Sequence, residues 1–357
     1  QDVLGFMTEE SSASLVYRSP PLSEPPGHSF TAIRAKFDRW LAGKAEEEGA
    51  LLITGIKVDG LKKNNGKIEG IRAGGDVVTA DVVVLADGAV SSLAQEAGLR
   101  EDFEPGDVSV GVKEVVSLPG ETIEERFNLG KGEGAAHIYA GYATRGIKGG
   151  GFLYTNKDSV SLGLVVKSDD LVLKRTYVHE LTEDFKAHPH IQSLIGGGKV
   201  IEYSSHLIPD AMLKTLHQPY GDGVLVVGDA AGHLINTGYT FRGVDLAILA
   251  GMAAAETFEK AHGEGDYSES SLARCVHFLR NYSVIQELER FRGMPRFLEN
   301  PRLYEVYPEL VCGILQRMYN IDEGRQDKLF KILRDEAKGR ISLVRVLADL
   351  LDVARTA

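Results

Sequence analysis

Cysteine is scarce in this chain of 357 residues: there are two, Cys275 and Cys312, far apart in the sequence. Two cysteines exclude a disulfide scaffold, and they exclude a metal or iron–sulfur site made of cysteines of this chain alone. No run of about 18 apolar residues is present, so we expect no transmembrane helix. We recognise no secretory signal either. This pattern fits a reducing, cytoplasmic compartment.

Positive charge is also in short supply. Lys and Arg together number 40 against 51 Asp and Glu, which gives a formal net charge of −11. A nucleic-acid partner would require a basic patch, so this balance argues against one. The apolar fraction of 43% is ordinary for a globular protein, and the length allows a large core in two domains.

Two short apolar runs each end in an aspartate. Residues 82–86 precede Asp87-Gly88, and residues 223–228 lead into Gly228, Asp229, Ala230, Ala231 and Gly232. Continuous apolar runs of this kind are typical of strands that are buried on both faces. Ligands bind at the carboxyl ends of such strands, where a carboxylate can accept hydrogen bonds from sugar or ribityl hydroxyls. Asp-Gly is also a common turn, and this alternative weighs more for Asp87 than for the longer second motif.

A helix that begins near Gly243 is the second candidate. The unpaired amides of its first turn carry a partial positive charge and would favour an anion. The same segment is also an Ala-rich helix with a small-residue face for tight packing: Ala247, Ala250, Gly251 and Ala254. We expect both descriptions to hold.

Single residues elsewhere give weaker signals. Arg34, at the start of a predicted helix over 32–48, could bind a pyrophosphate or be a surface arginine. His188 and His190 flank a proline in a predicted solvated loop without further metal ligands at useful spacing. His233 follows the 228–232 motif and is a weak candidate for lining a pocket.

The pattern along the chain predicts an α/β protein. A proline-rich loop is expected over 20–27 and a tight hairpin turn over 64–66. The predicted strands cover 15–18, 51–58, 61–64, 67–72, 76–80, 82–86, 108–118, 123–128, 136–142, 152–156, 160–166, 200–208 and 223–228. The predicted helices cover 32–48, 92–96, 170–186, a segment from 243, 268–291, 308–318 and 326–354.

These motifs resemble those of a known family. Asp87-Gly88 followed by Ser91, and GDAAG at 228–232 followed by NTGYTFRGVDLAILAG, are similar to the second and third flavin motifs of FAD-dependent oxidoreductases with the p-hydroxybenzoate hydroxylase-like fold. GGGFLYTN at 149–156, with further stretches along nearly the whole chain, resembles the FixC and electron-transfer flavoprotein–quinone oxidoreductase family more narrowly.

The resemblance implies four segments. Residues 1–105 would form the first part of an N-terminally incomplete FAD-binding domain, and residues 209–265 would form its second part. Residues 106–208 would be an inserted antiparallel β domain on the substrate and quinone side. Residues 266–357 would be a helical C-terminal region.

The resemblance also implies the function. A member of this family would use FAD to accept electrons from an electron-transfer flavoprotein and pass them toward quinone. A ferredoxin-like partner would supply the iron–sulfur cluster, and peripheral contact with the inner face of the membrane would fit a quinone substrate. The alternatives are a geranylgeranyl reductase-like enzyme, which saturates prenyl chains on the same fold, and, as a weaker one, an aromatic hydroxylase.

Site residues follow from the same resemblance. Arg34 would contact the FAD phosphates, Val58 the adenine, and Asp229 the ribityl and pyrophosphate groups, whereas Gly238 to Gly243 would lie beside the isoalloxazine. No acid–base catalytic residue and no metal ligand is expected. The implied cofactor-binding residues are Arg34, Val58, Asp87, Gly88, Gly228, Asp229, Ala230, Gly232, Gly238, Thr240, Arg242 and Gly243.

One family motif is not found in the sequence. Such proteins have a strand followed by a G-x-G-x-x-G turn that holds the pyrophosphate, and the printed residues contain no such turn. We therefore expect this chain to bind FAD weakly or not at all. A flavin-free protein that acts as a binding subunit is the corresponding alternative.

Overall fold

A computed structural model describes residues 1–19, 29–209, 218–321, 324 and 326–356. The proline-rich loop expected over 20–27 lies outside these residues. The strands are β1 Asp2–Met7, β2 Ser12–Tyr17, β3 Val58–Asn64, β4 Lys67–Ala73, β5 Asp76–Thr79, β6 Val83–Leu85, β7 Val108–Ser117, β8 Ala136–Gly141, β9 Gly149–Thr155, β10 Ser159–Lys167, β11 Lys199–Pro209, β12 Tyr220–Gly221, β13 Val224–Val226, β14 Ile235–Asn236 and β15 Phe241–Arg242.

Helices occupy much of the second half of the chain. They are α1 Arg34–Glu47, α2 Ser92–Glu96, α3 Gly120–Arg126, α4 Ser168–Lys174, α5 Val178–Ala187, α6 Pro189–Ile195, α7 Val244–Glu264, α8 Glu269–Leu272, α9 Cys275–Asn281, α10 Val284–Arg290, α11 Met294–Leu298, α12 Arg302–Glu305, α13 Tyr307–Tyr319, α14 Leu329–Ala337 and α15 Leu343–Thr356. Within the described residues, no helix combines the length and the apolar character that crossing a bilayer requires.

The chain divides into two compact units. The first contains Gln1–Lys44, Ser109–His206 and Arg296–Arg355, and the second contains Ala45–Val108 and Leu207–Pro295. The first 44 residues therefore group with the middle of the chain, which differs from the segment 1–105 expected from the resemblance. The four predicted segments stay a prediction about domains.

The first unit is built on a seven-stranded sheet in the order β11-β7-β10-β9-β8-β1-β2. Its neighbouring strands from β7 to β8 are antiparallel, as predicted, whereas β1 and β8 are parallel. β10 is buried along almost its whole length because it lies inside the sheet. The core on this sheet includes Leu162, Leu164, Leu181 and Phe185, so α5 contributes to its cover.

The second unit has short sheets and helices. β3, β4 and β5 form one antiparallel sheet, and the turn at Asn65 and Gly66 has the positive φ angles of 49° and 89° that the predicted tight hairpin requires. A second sheet has the order β12-β13-β6. All three residues of β13 are buried, as the apolar run predicts. Alternate sides of β13 face two clusters: Leu225 packs with α7, and Val224 and Val226 pack with Leu85.

Several sequence-based boundaries are wrong. The strand expected over 51–58 begins only at Val58, and Leu51 is 84% exposed, because no strand of the described residues pairs with this run. Residues 123–128 are not a strand: Ile123 and Phe127, four residues apart, face the core from α3 and the residue that follows it. Pro189 begins α6, where a loop was expected, because proline suits the first helical position.

Three predicted helices are broken into shorter ones. The segment 170–186 is interrupted at Arg175, which has a φ of 50°, and the segment 268–291 is interrupted at Ser283, with a φ of 62°. The segment 326–354 breaks between α14 and α15, where Lys338 is extended and Gly339 has a φ of 82°. The helix over 32–48 is confirmed as α1, but none of its residues is buried, and Trp40 of its apolar face is 58% exposed.

Candidate functional site

The two strands that end in aspartate are neighbours. β6 and β13 pair in parallel, with Val83 opposite Val224 and Leu85 opposite Val226. The amide of Val227 then donates to the carbonyl of Leu85 at 3.0 Å. Parallel strands in this register end at the same edge of the sheet, so the loops that start at Asp87 and Gly228 leave the sheet side by side.

The first loop is ordered by its own polar groups. The Ser91 hydroxyl donates to Oδ1 of Asp87 at 2.6 Å, and Ser91 Oγ accepts from the amide of Ala94 at 3.3 Å as the N-cap of α2. Gly88 has a φ of 80°, and a Cβ added there would have no neighbour within 4 Å. The backbone at Gly88 therefore faces open space beside the Asp87 carboxylate.

The second loop is a tight turn over Gly228–Ala231. Ala230 and Ala231 are fully buried, and the loop closes through the amide of His233, which donates to the Gly228 carbonyl at 3.0 Å. Gly228 has a φ of 63° and packs against α7, since a Cβ on it would stand 3.4 Å from Cβ of Ala247. The small residues of this motif thus let the turn approach the helix closely.

α7 begins beside this turn. Gly243 is its N-cap and offers no side chain to the first amides. A Cβ on Gly243 would stand 3.7 Å from Oδ1 of Asp229, so the Asp229 carboxylate lies at the start of a 21-residue helix. A carboxylate at this position interacts favourably with the helix dipole. Of the predicted small-residue face, Ala250 and Ala254 are buried, whereas Gly251 is exposed.

A short hairpin connects the turn to the helix. β14 pairs with β15, and the loop between them is held by the amide of Gly238, which donates to Oδ1 of Asn236 at 2.9 Å. The amide of Thr240 donates to Oγ1 of Thr237 at 3.2 Å. Gly238 and Thr240 therefore lie on an ordered loop that is exposed to solvent.

Arg242 is held by two carboxylates. Its guanidinium donates to Asp245 at 2.7 Å and to Glu287 at 2.5 Å, which ties the first turn of α7 to α10. The hydrogen bonds to Asp245 and Glu287 raise the pKa of Arg242. These ion pairs give Arg242 a role in packing whether or not it meets a cofactor.

Arg100 belongs to this site, although no sequence motif points to it. Its side chain is 4% exposed, and Nη1 donates to the carbonyls of Ala89 at 2.8 Å and Ala230 at 3.5 Å. Nη2 donates to the carbonyl of Val90. Arg100 thus touches both aspartate loops. The local pattern gives no sign of its burial; only its position shortly after Asp87-Gly88 could have drawn attention to it.

His233 is buried next to the same turn. It is 2% exposed, and its Nδ1 has no hydrogen-bond partner among the residues that the structure describes. Burial lowers its pKa to about 4, so the imidazole is neutral at pH 7. The expectation that His233 lines a pocket stays a prediction.

Two predicted cofactor residues belong to other elements of the fold. Val58 begins β3 in the second unit and pairs with Ala73. Arg34 lies on α1 in the first unit, where its guanidinium pairs with the Asp38 carboxylate at 2.9 Å. The proposed contacts of Val58 with adenine and of Arg34 with phosphate stay predictions.

The first unit holds a second polar cluster that the sequence analysis missed. Nδ1 of His137 lies 2.8 Å from the Tyr139 hydroxyl, which lies 3.1 Å from Nε2 of His190. Burial lowers the pKa of His137 to about 4 and raises that of Tyr139, so both are neutral at pH 7. Their alternation along β8 places both side chains on the buried face, a signal that could have been read from the sequence.

The polar groups at the paired strand ends fit a nucleotide-like cofactor. Asp87 and Asp229 provide carboxylates at one sheet edge, Gly88 leaves its backbone open on one side, and the amides at the start of α7 suit a group that gains negative charge. These groups suit a ligand that has a polyhydroxylated chain and an anionic ring.

Comparison with known proteins shows which family the chain is similar to. Residues 108–208 match the family model "ETF-QO, ubiquinone-binding", and residues 294–357 match the "ETF-QO/FixC family C-terminal domain". Protein FixC of Escherichia coli strain K12 is 44% identical over 344 residues, which cover 96% of this chain and 80% of the relative. The probable electron transfer flavoprotein-quinone oxidoreductase YdiS of the same strain is 42% identical over 349 residues, 98% of this chain and 81% of the relative.

A solved structure shares the fold. A geranylgeranyl bacteriochlorophyll reductase-like protein from Thermoplasma acidophilum superposes with a TM-score of 0.60 over 90% of this chain and 75% of that one. The identity is 19%, so this likeness concerns the fold alone. It agrees with the expected p-hydroxybenzoate hydroxylase-like architecture and helical C-terminal part. With close relatives that span nearly all of its length, the chain belongs to the ETF-QO/FixC family of FAD-dependent oxidoreductases.

Proposed function

We propose that this chain binds FAD at the paired strand ends and passes electrons from an electron-transfer flavoprotein to a quinone. The observation that carries the proposal is the parallel pairing of β6 and β13, since it brings Asp87, Asp229 and the start of α7 to one site. The match of residues 108–208 to a ubiquinone-binding family model supports a quinone as the acceptor.

The residues of the site have separable roles in this proposal. The Asp229 and Asp87 carboxylates accept hydrogen bonds from ribityl or ribose hydroxyls, and Ser91 orients the Asp87 carboxylate. Gly88 lets the cofactor approach the backbone. The amides at the start of α7 favour negative charge on the ring. Bound FAD supplies the two-electron redox chemistry, so no acid–base pair of side chains is required.

The electron balance requires partners on both sides. The electron-transfer flavoprotein is oxidised, and the quinone takes up two electrons and two protons to become quinol. A ferredoxin-like partner with an iron–sulfur cluster forms the remaining part of the proposal. The two cysteines of this chain are too few to bind a four-cysteine cluster, so the proposal assigns the cluster to that partner.

In the first test, FAD is titrated into the purified chain, and binding is measured by calorimetry or by flavin fluorescence. Asp229→Asn and Asp87→Asn should each weaken FAD binding about 10-fold, the effect of losing a charge-assisted hydrogen bond. Asp76→Asn, on the exposed strand β5 of the same unit, is the matched control and should bind as the wild type does. The titration also measures directly whether the affinity is as weak as the missing G-x-G-x-x-G turn predicts.

The electron-transfer step is tested at saturating FAD. Reduced electron-transfer flavoprotein and a water-soluble ubiquinone analogue are mixed with the chain, and quinol formation is followed, with and without a ferredoxin-like protein. Quinol formation that depends on the chain supports the proposal. Reduction of a prenyl lipid by a reduced ferredoxin or NADPH, without quinol formation, would favour the reductase alternative. Absence of FAD binding at any concentration would favour a flavin-free binding subunit.

A further inference from the structure

Arg100 connects two segments that are far apart in the sequence. It follows Leu99, which packs in the same cluster as Leu85, Ala230 and Ala231. From there its guanidinium reaches the carbonyls of Ala89 and Val90 in the first aspartate loop and the carbonyl of Ala230 in the second. The contact with Ala230, at 3.5 Å, is the longest of the three.

The guanidinium is enclosed on its other side as well. Its central carbon lies 4.5 Å from the centroid of the Phe103 ring, a cation–π arrangement. Burial lowers the pKa of Arg100, and the nearby Asp87 and Asp102 carboxylates oppose this effect. A buried charge without a carboxylate in direct contact is costly, so its three carbonyl partners and the ring are what retain it in this position.

We propose that Arg100 is a positioning residue that sets the spacing between the Asp87 loop and the Asp229 loop, and thereby the affinity of this site for FAD. The inference rests on the proposed function for its ligand, but its geometric part concerns the two loops alone. Asp87 and Asp229 can hold one ligand together only if their loops keep a fixed separation. Arg100 contacts both loops, because its Nη1 donates to the carbonyls of Ala89 and Ala230, whereas the Ser91 hydroxyl holds the Asp87 carboxylate within its own loop.

The chemistry of arginine explains why this residue type is present. The guanidinium is a planar fork whose donors point in different directions, so one side chain can serve carbonyls of two loops. A lysine would keep the positive charge but would replace the fork by a compact ammonium. Arg100→Lys therefore separates positioning from a simple electrostatic attraction between Arg100 and the phosphates of the ligand.

The experiment compares Arg100→Met and Arg100→Lys with the wild type. Arg280→Met is the matched control, because Arg280 lies in the same unit and forms an exposed ion pair with Glu289 at 3.2 Å. Positioning predicts that both Arg100 variants bind FAD roughly 10- to 100-fold more weakly, since hydrogen bonds from a charged donor are lost. The Arg280 variant should bind FAD with unchanged affinity.

A flavin-free readout accompanies the titration. Hydrogen–deuterium exchange of the free protein should accelerate in residues 87–91 and 228–234 together in both Arg100 variants, with the α7 segment 253–261 as an unchanged internal reference. A double-mutant cycle adds a readout that a general loss of packing would not change. In the wild type, the losses of FAD-binding free energy caused by Asp87→Asn and Asp229→Asn should not be additive. In the Arg100→Lys background, the two losses should be additive.

The outcomes separate this inference from the proposed function. If the wild type binds no FAD but both loops exchange faster in the variants, the proposed function fails and the geometric inference stands. If Arg100→Lys binds FAD as the wild type does, charge alone suffices and the positioning role is overturned. Unchanged exchange in both loops would overturn it as well. If both variants fail to fold, urea-dependent exchange of the wild type decides: joint opening of the two loops supports the inference, and independent opening overturns it.

Discussion

Gly243 and Leu234 lie so close that a Cβ on the glycine would stand 2.9 Å from Cδ1 of the leucine. Leu234 belongs to the segment that follows the Gly228–Ala231 turn, and Gly243 is the N-cap of α7. Any side chain at position 243 therefore requires the end of the buried Leu234 side chain to shift.

Gly243→Ala should lower the free energy of unfolding by about 1–3 kcal/mol, because it overpacks this contact. Gly251→Ala, inside the same helix, is the matched control: a Cβ there meets nothing within 4 Å, and alanine should raise stability by about 1 kcal/mol. Urea denaturation measures both. Equal effects of the two substitutions would contradict the tight contact.

Ser91→Ala should cost about 1 kcal/mol of stability through loss of the α2 N-cap, and it should also weaken FAD binding several-fold, because the Asp87 carboxylate loses its hydroxyl donor. Ser268→Ala is the control, since Ser268 caps α8 by accepting from the Ser271 amide at 3.3 Å. We expect similar losses of stability from both and a change in FAD affinity from Ser91→Ala only. A loss of affinity in both variants would show that destabilisation, not Asp87, governs binding.

His137 predicts a pH dependence of stability. Its pKa is about 4 in the folded protein, below the ordinary value of 6.5, because burial disfavours the charged imidazole. The unfolded chain therefore binds the proton first as the pH falls, and stability decreases between about pH 6.5 and pH 4, by about 3 kcal/mol at most.

The variant His137→Phe should make this part of the stability profile less steep, with the remaining slope due to groups such as His233, whose pKa burial also lowers to about 4. The variant His206→Phe, at an exposed position on β11, should leave the profile unchanged. Urea denaturation at pH 7 and pH 5 provides the measurement. A profile for His137→Phe that matches the wild type would mean that other groups cause the loss.

Asp349 anchors the C-terminal helix. It accepts from Nε of Arg302 at 2.7 Å and from the Tyr307 hydroxyl at 2.6 Å, and these contacts lower its pKa to about 2, with the Arg302 hydrogen bond as the largest cause. Asp349→Asn should destabilise the docking of α15 by about 2 kcal/mol, read as faster hydrogen exchange over 344–355. Tyr307→Phe, which removes one hydrogen bond and no charge, should have a smaller effect.

The pH dependence of this contact has a definite sign. The pKa of the carboxylate is depressed in the folded state, so its contribution is complete above about pH 4 and is lost as the pH falls toward 2. The difference in α15 docking stability between the wild type and Asp349→Asn should therefore disappear in acid. A constant difference between them down to pH 2 would rule out the charged form of Asp349 as the anchor.

Local chemistry explains which parts of the fold the sequence could predict. The buried strand at Val224, the Asn65-Gly66 turn and the helix that begins at Gly243 each depend on a few neighbouring residues, and they are present where expected. The strand at Val83 also forms, but the prediction that it is buried on both faces is wrong, since Val84 is 46% exposed. The helix breaks at Arg175 and Ser283 could not be predicted, because both residues adopt positive φ angles that arginine and serine rarely adopt. Tertiary packing decides these positions.

The site shows the same division. The aspartates and glycines of the site could be predicted from sequence motifs, because turn geometry and carboxylate chemistry depend on a few neighbouring residues. Arg100 could not, because its importance comes from carbonyls at Ala89 and Ala230, and nothing in the sequence tells which backbone groups an arginine will meet. The network of His137 and Tyr139 with His190 likewise depends on α6 folding over β8.

The pairing of β6 with β13 also has a consequence for how the protein forms. Val83 and its partner Val224 are about 140 positions apart, so this contact has a high contact order and closes a long loop of chain. During synthesis, the Asp87 half of the site emerges from the ribosome well before its Asp229 half. The proposed FAD site therefore predicts that cofactor capture is a late event, and a nascent chain stalled before residue 224 should have no flavin affinity at this site.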